Sequence, residues 1–223
     1  MSNSKHVVVF SHGFGVCKDS RGLFTAIADA LPDCDCVLFD YSEFDEVKQA
    51  VVICPFSEQV LMLEKVLADA IAKYPNAIID IIASSQGDII TAMLKPVGIR
   101  RFVLLVPPMS MDKTRTIERS KRNPGTVIDF NGVTKLVGRS GNAVLVPAMY
   151  WQERDLVKPV ELYNNLASGN DVVVINAEQD DILDGSVPDD LSKNIKILST
   201  PGDHNFTGET RAGLVECVRN LLV

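Results

Sequence analysis

The chain has 223 residues, of which 46% are hydrophobic, so it can fill the core of a single α/β domain. Its formal net charge of −7 gives no electrostatic support for binding nucleic acid or an anionic membrane. No stretch reaches the roughly 18 consecutive apolar residues that a membrane span requires.

The N-terminal residues and the cysteines indicate the cellular compartment of the protein. The apolar run at residues 7–10 is too short for a signal peptide and leads directly into a glycine-containing loop. The cysteines are odd in number and have no metal-binding spacing, which argues against a disulfide framework and fits a reducing compartment. They are Cys17, Cys34, Cys36, Cys54 and Cys217, and we interpret all of them as structural thiols. The sequence therefore predicts a cytoplasmic protein and leaves open whether it forms a homodimer.

Short apolar runs rich in β-branched residues alternate with longer amphipathic stretches along the chain. The runs are apolar on both faces, as expected of parallel strands covered by helices, and they span residues 7–10, 36–39, 78–82, 102–106, 172–175 and 195–198. The stretches between them predict helices over residues 22–31, 57–73, 89–95, 159–167 and 207–222. This alternation predicts an α/β fold with one mainly parallel sheet of about six strands and helices on both faces.

Residues 109–158 interrupt the alternation. A structureless loop of this length would be unusual, so we predict a small insertion with its own structure within a single domain of residues 1–223. Asn131-Gly132, flanked by β-forming residues, predicts a tight hairpin in which both turn residues take a positive φ. The insertion also contains Tyr150 and the single tryptophan, Trp151.

The segment Ala83-Ser84-Ser85-Gln86-Gly87 lies between a predicted strand and a predicted helix. A sharp turn of this kind holds a nucleophile in strained backbone and needs small residues two positions before and after it, which Ala83 and Gly87 provide. The turn also places the hydroxyl at a helix N-terminus, where N–H groups stabilise developing negative charge. The alternative is a helix N-cap in which Ser84 or Ser85 accepts a backbone hydrogen bond.

The segment SHGFG at residues 11–15 ends the first predicted strand. Its glycines let the loop approach a nucleophile, so that the N–H of Phe14 and the N–H of Gln86 would form an oxyanion hole. The alternative is a glycine-rich turn that leads into the next helix. We interpret His12 as a structural hydrogen-bonding residue rather than a catalytic base.

Asp180 and His204 each lie in a loop that follows a predicted strand. Open α/β sheets gather ligand groups in the loops beyond the carboxyl ends of their parallel strands. A serine hydroxyl is a poor nucleophile at neutral pH and needs a base such as imidazole, which needs a carboxylate to fix its tautomer. Taken singly, each of the two residues could be a solvated loop residue.

The order of these residues along the chain favours the catalytic interpretation. Ser85, Asp180 and His204 follow three different strands in the order expected of nucleophile, acid and base in this architecture. We therefore predict Ser85 as the nucleophile, His204 as the general base and Asp180 as the residue that orients the base.

Four segments carry a resemblance to a known family: SHGFG at residues 11–15, SSQG at 84–87, AEQDDIL at 177–183 and PGDHNF at 201–206. Nearly the whole chain resembles the α/β-hydrolase superfamily and, within it, small bacterial carboxylesterases of the cinnamoyl and feruloyl esterase kind. The resemblance implies an α/β-hydrolase fold, an ester substrate and a lid formed by residues 109–158. The chain departs from the family pattern at Ser84, where the family often has histidine, and at Asp88, where it often has glycine.

The aspartates need separate assignments. Asp180, Asp181 and Asp184 compete to orient the base; the family's Gly-x-x-Asp loop aligns Asp180, with an alanine in the glycine position. Asp181 is expected to cap the following turn, and Asp203 is expected to be structural. We expect Asp88 to lie at the N-terminus of a helix, where a negative charge is favourable. The alternative is that the Asp88 carboxylate is buried and paired.

An acyl transfer through such a triad needs no metal or organic cofactor, so none is expected. The expected partner is a small-molecule ester, and the residues that could line its apolar pocket are Met109, Met111, Met149, Tyr150 and Trp151. The alternative for these residues is ordinary packing of the insertion onto the body. Two other functions stay open: an amide- or thioester-cleaving enzyme on the same triad, and a catalytically silent binding protein of this fold.

Overall fold

The computed structural model describes residues 4–138, 141–183 and 186–223. The strands in chain order are β1 (His6–Ser11), β2 (Cys34–Leu38), β3 (Glu43–Asp45), β4 (Ala50–Val52), β5 (Ile78–Ser84), β6 (Arg101–Leu105), β7 (Val133–Val137), β8 (Ala143–Pro147), β9 (Asp171–Ala177) and β10 (Lys196–Thr200). The helices are α1 (Leu23–Asp29), α2 (Phe56–Lys73), α3 (Gln86–Leu94), α4 (Thr114–Lys121), α5 (Ala148–Arg154), α6 (Pro159–Ala167) and α7 (Thr210–Leu222).

Six strands form one parallel sheet in the order β10-β9-β6-β5-β1-β2. These are the six strands that the apolar runs predict, so the predicted sheet is confirmed. Helices α1 and α7 pack on one face, while α2, α3 and α6 pack on the other.

Strand β1 shows why the apolar runs fold in this way. Val7 and Val9 pack into the core on one face of the sheet, whereas Val8 and Phe10 pack into the core on the other. All four side chains are almost completely buried, and each such burial stabilises the fold by about 1.5–3 kcal/mol. Because the strands are parallel, the loops that follow β1, β5, β9 and β10 all lie at the carboxyl-terminal end of the sheet.

A second, smaller sheet has the strand order β3-β4-β8-β7 and joins residues 43–52 to residues 133–147. Strand β4 pairs in parallel with β8, while β3–β4 and β7–β8 are antiparallel pairs. The sequence does not predict β3 and β4, because three-residue strands carry too short a pattern. The insertion therefore shares a sheet with a segment that precedes α2. That residues 109–158 act as a lid stays a prediction.

The predicted Asn-Gly turn is wrong in its conformation. The chain does reverse direction, since Val127 and Lys135 form an antiparallel bridge. However, Asn131 and Gly132, which are both described, do not have a positive φ. Asp129 Oδ1 instead accepts a hydrogen bond of 3.0 Å from the N–H group of each of these residues. A side-chain carboxylate thus organises the reversal in place of a tight two-residue turn.

Helix α3 begins at Gln86, three residues earlier than the predicted start at residue 89. This difference matters because it places the residue after Ser85 in the first turn of the helix. Among the described helices, none is long and apolar enough to cross a membrane.

Candidate active site

Ser85 lies in the sharp turn between β5 and α3. Its backbone has φ 55° and ψ −120°, a conformation that costs a residue with a side chain about 1–3 kcal/mol. The turn is also tightly packed at Gly87, where a Cβ would lie 2.0 Å from the carbonyl oxygen of Ser11. The strained strand-to-helix turn that the motif predicts is therefore present.

The side chain of Ser85 faces His204 rather than the backbone of α3. Within the described chain, Ser85 makes no side-chain cap bond to the helix, so its interpretation as a helix cap is wrong. Its Oγ lies 3.1 Å from His204 Nε2. Ser85 is partly exposed, whereas the neighbouring Ser84 is buried.

His204 connects Ser85 to Asp180, because its Nδ1 lies 2.8 Å from Asp180 Oδ2. A carboxylate only accepts hydrogen bonds, so Nδ1 carries the proton and Nε2 is left to accept the proton of the Ser85 hydroxyl. Asp180 Oδ1 also accepts hydrogen bonds from the N–H groups of Ile182 and Leu183, at 2.7 and 2.8 Å. Burial opposes the ionisation of Asp180, but the bonds from His204 and these N–H groups hold the pKa of Asp180 below its usual value.

Two reciprocal hydrogen bonds join the loops that carry Asp180 and His204. The N–H of Gln179 donates to the carbonyl oxygen of Gly202 at 2.9 Å, and the N–H of Gly202 donates to Gln179 Oε1 at 2.7 Å. This pair fixes the distance between the two loops and therefore between the carboxylate and the imidazole.

The other aspartates have other positions. Asp180 itself accepts the N–H groups of Ile182 and Leu183, and the next two residues of that turn lie outside the described residues, so the prediction that Asp181 caps it stays a prediction. Asp203 accepts hydrogen bonds from the backbone of its own loop at residues 205 and 207, which agrees with a structural role. Asp184 lies outside the described residues.

The loop after β1 approaches Ser85 at Gly13. A Cβ on Gly13 would lie 3.2 Å from the Cβ of Ser85, so the lack of a side chain allows this approach. The N–H of Phe14 belongs to the same planar peptide group as the carbonyl of Gly13. That carbonyl accepts a hydrogen bond of 2.9 Å from His12 Nδ1, while His12 Nε2 accepts one of 3.0 Å from the N–H of Tyr41. His12 thereby fixes the orientation of the peptide group that carries the predicted oxyanion donor.

This arrangement agrees with the structural interpretation of His12. Both of its ring nitrogens are engaged, and burial lowers the pKa of His12, so the ring stays neutral. The second predicted donor, the N–H of Gln86, is in the first turn of α3, where N–H groups have no partner within the helix. The roles of Phe14 and Gln86 as oxyanion donors stay predictions.

Tyr150 contacts both residues that carry the predicted oxyanion donors. The centroid of its ring lies 5.5 Å from that of Phe14, and its hydroxyl donates to Gln86 Oε1 at 2.6 Å. Gln86 Nε2 in turn donates to Gln59 Oε1 at 2.9 Å. All three polar side chains are buried, so the first residue of α3 is held from both sides. No sequence pattern predicts this contact, because Tyr150 and Gln86 are 64 residues apart.

Replacing Tyr150 by phenylalanine should lower kcat for the ester hydrolysis that the sequence predicts, while leaving KM nearly unchanged. The substitution keeps the ring against Phe14 but leaves the buried amide oxygen of Gln86 without its donor, so the turn after Ser85 is held less firmly. We expect kcat to fall about threefold to tenfold, less than the loss of an oxyanion donor itself would cause. The matched control is Tyr163→Phe, which removes another buried hydroxyl, bonded to the carbonyl oxygen of Pro108. Equal losses of kcat in both variants would contradict a positioning role for Tyr150.

The other residues predicted to line a substrate pocket have different environments. Met109 lines a small cavity beside Asp180, with a volume of about 10 Å³. Met149 is 52% exposed, whereas Tyr150 and Trp151 are buried and pack against each other in the core. The burial of the two aromatic side chains agrees with the packing alternative. A role in substrate binding for these residues stays a prediction.

Asp88 lies in the first turn of α3, as expected, but its surroundings do not favour a charge. The side chain is completely buried, and neither carboxyl oxygen has a hydrogen-bond partner among the described residues. Burial raises the pKa of Asp88 well above its usual range, and the nearby backbone of Ser85 and Leu105 offsets only part of this effect. A helix terminus contributes roughly 0.3–1 kcal/mol, which is too little to outweigh the burial of an unpaired carboxylate.

Replacing Asp88 by asparagine should stabilise the fold at neutral pH and have little effect near pH 4. The folded-state pKa of Asp88 is raised, so the folded chain keeps a proton that the unfolded chain loses as the pH rises above the ordinary carboxyl pKa. The wild-type protein therefore loses roughly a factor of ten in its folded-to-unfolded ratio for each pH unit in that window, and Asp88→Asn does not. Urea unfolding at several pH values measures this difference. A difference between the two proteins that stays constant from about pH 4 to pH 8 would contradict the assignment.

Comparisons with known proteins inform on the fold of the chain. No protein-family model matches the chain, and no curated protein sequence matches it. Among solved structures, it is similar to Est1E from Butyrivibrio proteoclasticus, with a TM-score of 0.67, 16% sequence identity, and coverage of 99% of this chain and 89% of that chain. It is also similar to the esterase Pf2001 from Pyrococcus furiosus, with a TM-score of 0.68, 14% identity, and coverage of 99% and 81%.

A third similar structure, from Xanthomonas campestris, is described as a hydrolase of the α/β superfamily; it has a TM-score of 0.57, 15% identity, and 98% of each chain is covered. At these identities the likeness shows the fold alone. The predicted α/β-hydrolase fold is confirmed, and the structures that share it include esterases.

Proposed function

We propose that the chain is a serine hydrolase that cleaves carboxylic esters through an acyl-enzyme intermediate. The observation that carries this proposal is the continuous line of hydrogen bonds from Ser85 Oγ through His204 to Asp180, with distances of 3.1 and 2.8 Å. The similar solved structures include esterases, which supports the class of reaction.

In the first half of the reaction, Ser85 Oγ attacks the ester carbonyl while His204 Nε2 takes its proton. Asp180 accepts a hydrogen bond from the Nδ1–H group of His204 and stabilises the imidazolium that forms. The N–H groups of Phe14 and Gln86 hold the negative charge on the carbonyl oxygen of the tetrahedral intermediate. His204 then gives its proton to the leaving alcohol, and the acyl group stays on Ser85.

In the second half, water takes the place of the alcohol. His204 accepts a proton from the water as it attacks the acyl-enzyme, and returns that proton to Ser85 when the acid leaves. Every proton therefore moves between Ser85, His204 and the substrate or water. The chemistry requires no metal or organic cofactor.

The substrate class can be tested with a panel of small substrates on the full chain. Est1E, one of the similar structures, is known with bound ferulic acid, so methyl ferulate belongs in the panel beside p-nitrophenyl acetate and butyrate. A p-nitroanilide and an acyl thioester with the same acyl group complete it. We expect turnover of esters with kcat/KM well above that of the matched amide. Faster cleavage of the amide or thioester would assign the triad to that reaction and contradict the ester proposal.

A further inference from the structure

A second group of reactive side chains lies at the other end of the large sheet from Ser85. Cys34 is the first residue of β2 and His6 is the first residue of β1, and the two are directly opposite in the pairing of these strands. Cys34 Sγ lies 3.1 Å from His6 Nδ1. Because β1 and β5 are parallel, this edge is opposite to the one where β5 ends before Ser85.

The second nitrogen of His6 is held by a buried carboxylate. His6 Nε2 lies 2.7 Å from Asp80 Oδ2, and the Asp80 side chain has no exposed surface. Arg100 forms an ion pair with Asp80 through Nε at 2.9 Å and through Nη2, and Nη2 also donates to the carbonyl oxygen of Leu222 at 2.8 Å. Asp80 and Arg100 are therefore fixed in position and hold the imidazole of His6 with them.

The hydrogen-bond partners determine how the protons are arranged. His6 Nε2 lies 2.7 Å from Asp80 Oδ2 and 3.4 Å from Arg100 Nη2, and the shorter contact, to a carboxylate that only accepts, assigns the proton to Nε2. Nδ1 is then left to accept a hydrogen bond from the Cys34 thiol. The two nitrogens of His6 face different partners, so Cys34 and Asp80 do not converge on one point as metal ligands would. The order thiol, imidazole, carboxylate is instead that of a nucleophile with an oriented base.

Burial and the nearby carboxylates favour the neutral form of the Cys34 thiol at rest. Burial raises the pKa of the Cys34 thiol; the carboxylates of Asp80, Asp33 and Asp35 add to this effect, and the Arg100 guanidinium opposes it. Because only the thiolate attacks a disulfide, a base has to take the thiol proton for the exchange to proceed. His6 Nδ1 is in position to take that proton.

We propose that Cys34 is a base-assisted thiol that takes up small disulfides by thiol–disulfide exchange. His6 Nδ1 accepts the proton of Cys34 as its sulfur attacks one sulfur of the disulfide. A new S–S bond forms, the original S–S bond breaks, and His6 passes the proton to the departing thiolate. Cys34 is oxidised to a mixed disulfide and the other half of the reagent is reduced to a thiol, so the disulfide itself is the oxidant. This proposal revises the interpretation of Cys34 as a structural thiol and is independent of the reaction at Ser85.

The chain contains its own reference thiol. Cys17 is exposed, whereas Cys34 is only partly exposed. The pKa of Cys17 is raised as well, by burial and by Asp40 and Asp19. If exposure alone determined reactivity, Cys17 would be modified first.

The test is a time course of the full chain with hydroxyethyl disulfide, a small neutral reagent, with each cysteine followed by peptide mass spectrometry. We expect Cys34 to be modified faster than Cys17 near pH 7. In His6→Gln, whose amide can still bond to Asp80 but cannot take a proton, the rate at Cys34 should fall about tenfold or more while that at Cys17 is unchanged. A Cys34 rate that is slower than that of Cys17 and unchanged in His6→Gln would overturn the proposal.

The pH profile of the wild-type protein gives a second readout that does not depend on how well the variant folds. A thiol that reacts through its free thiolate slows by about tenfold for each pH unit below its pKa, and we expect this at Cys17 between about pH 8.5 and pH 7. Cys34 should slow much less over the same range, because His6 takes its proton in the reaction. Parallel slopes for Cys17 and Cys34 would refute base assistance.

Discussion

Ser85→Ala is expected to reduce kcat for ester hydrolysis by roughly 10⁴- to 10⁶-fold. The substitution removes the hydroxyl oxygen that faces His204 Nε2, so no acyl-enzyme can form on residue 85. It leaves the backbone of the turn and the N–H groups of Phe14 and Gln86 in place, so a small residual rate above that in water should persist.

Ser84→Ala is the matched control for this change. Ser84 is the neighbouring serine in the same turn, but it is buried and ends β5. We expect its activity to stay within a few-fold of wild type and both variants to unfold cooperatively. Substantial activity in Ser85→Ala, or an equal loss in Ser84→Ala, would contradict the assignment of Ser85.

Asp180→Asn is expected to lower kcat by about 10⁴-fold. Asparagine keeps an oxygen that can accept the N–H groups of Ile182 and Leu183, so the loop should retain its shape. Its amide nitrogen, however, can face His204 only as a donor, which moves the imidazole proton to Nε2 and leaves no lone pair for the Ser85 hydroxyl.

The matched control is Asp203→Asn, next to His204 in the chain. Asp203 bonds to the backbone of its own loop and to the hydroxyl of Thr207, not to the imidazole. We expect kcat to change by only a few-fold. Similar losses of kcat in the two variants would show that loop integrity, rather than orientation of the base, determines the rate.

Much of the fold could be predicted because its signals are local. Each strand of the large sheet is a short apolar run, and β1 shows the cause: consecutive residues are buried on opposite faces. The candidate site could be predicted because three motifs follow three such strands in a fixed order. Once the strands are parallel, the loops that carry Ser85, Asp180 and His204 must lie at one edge.

The features that the sequence does not predict depend on contacts between residues far apart in the chain or, at Asp88, on the balance between burial and the charge of the side chain. Strands β3 and β4 are only three residues long, and β4 joins them to the rest of their sheet by pairing with β8, far along the chain. The contact of Tyr150 with Gln86, and those of His6 with Cys34 and Asp80, are tertiary contacts that leave no periodic signal. At Asp88, the position in a helix turn was predictable, but the burial that removes its charge was not.

Labelling with a fluorophosphonate probe tests the central claim most directly, because such probes phosphonylate only an activated serine. We predict a single adduct per native chain, located on Ser85 by peptide mass spectrometry. The adduct should be lost on heat denaturation and in Ser85→Ala, and retained in Ser84→Ala. A native, folded protein with no adduct on Ser85, or with its adduct on another serine, would contradict the account.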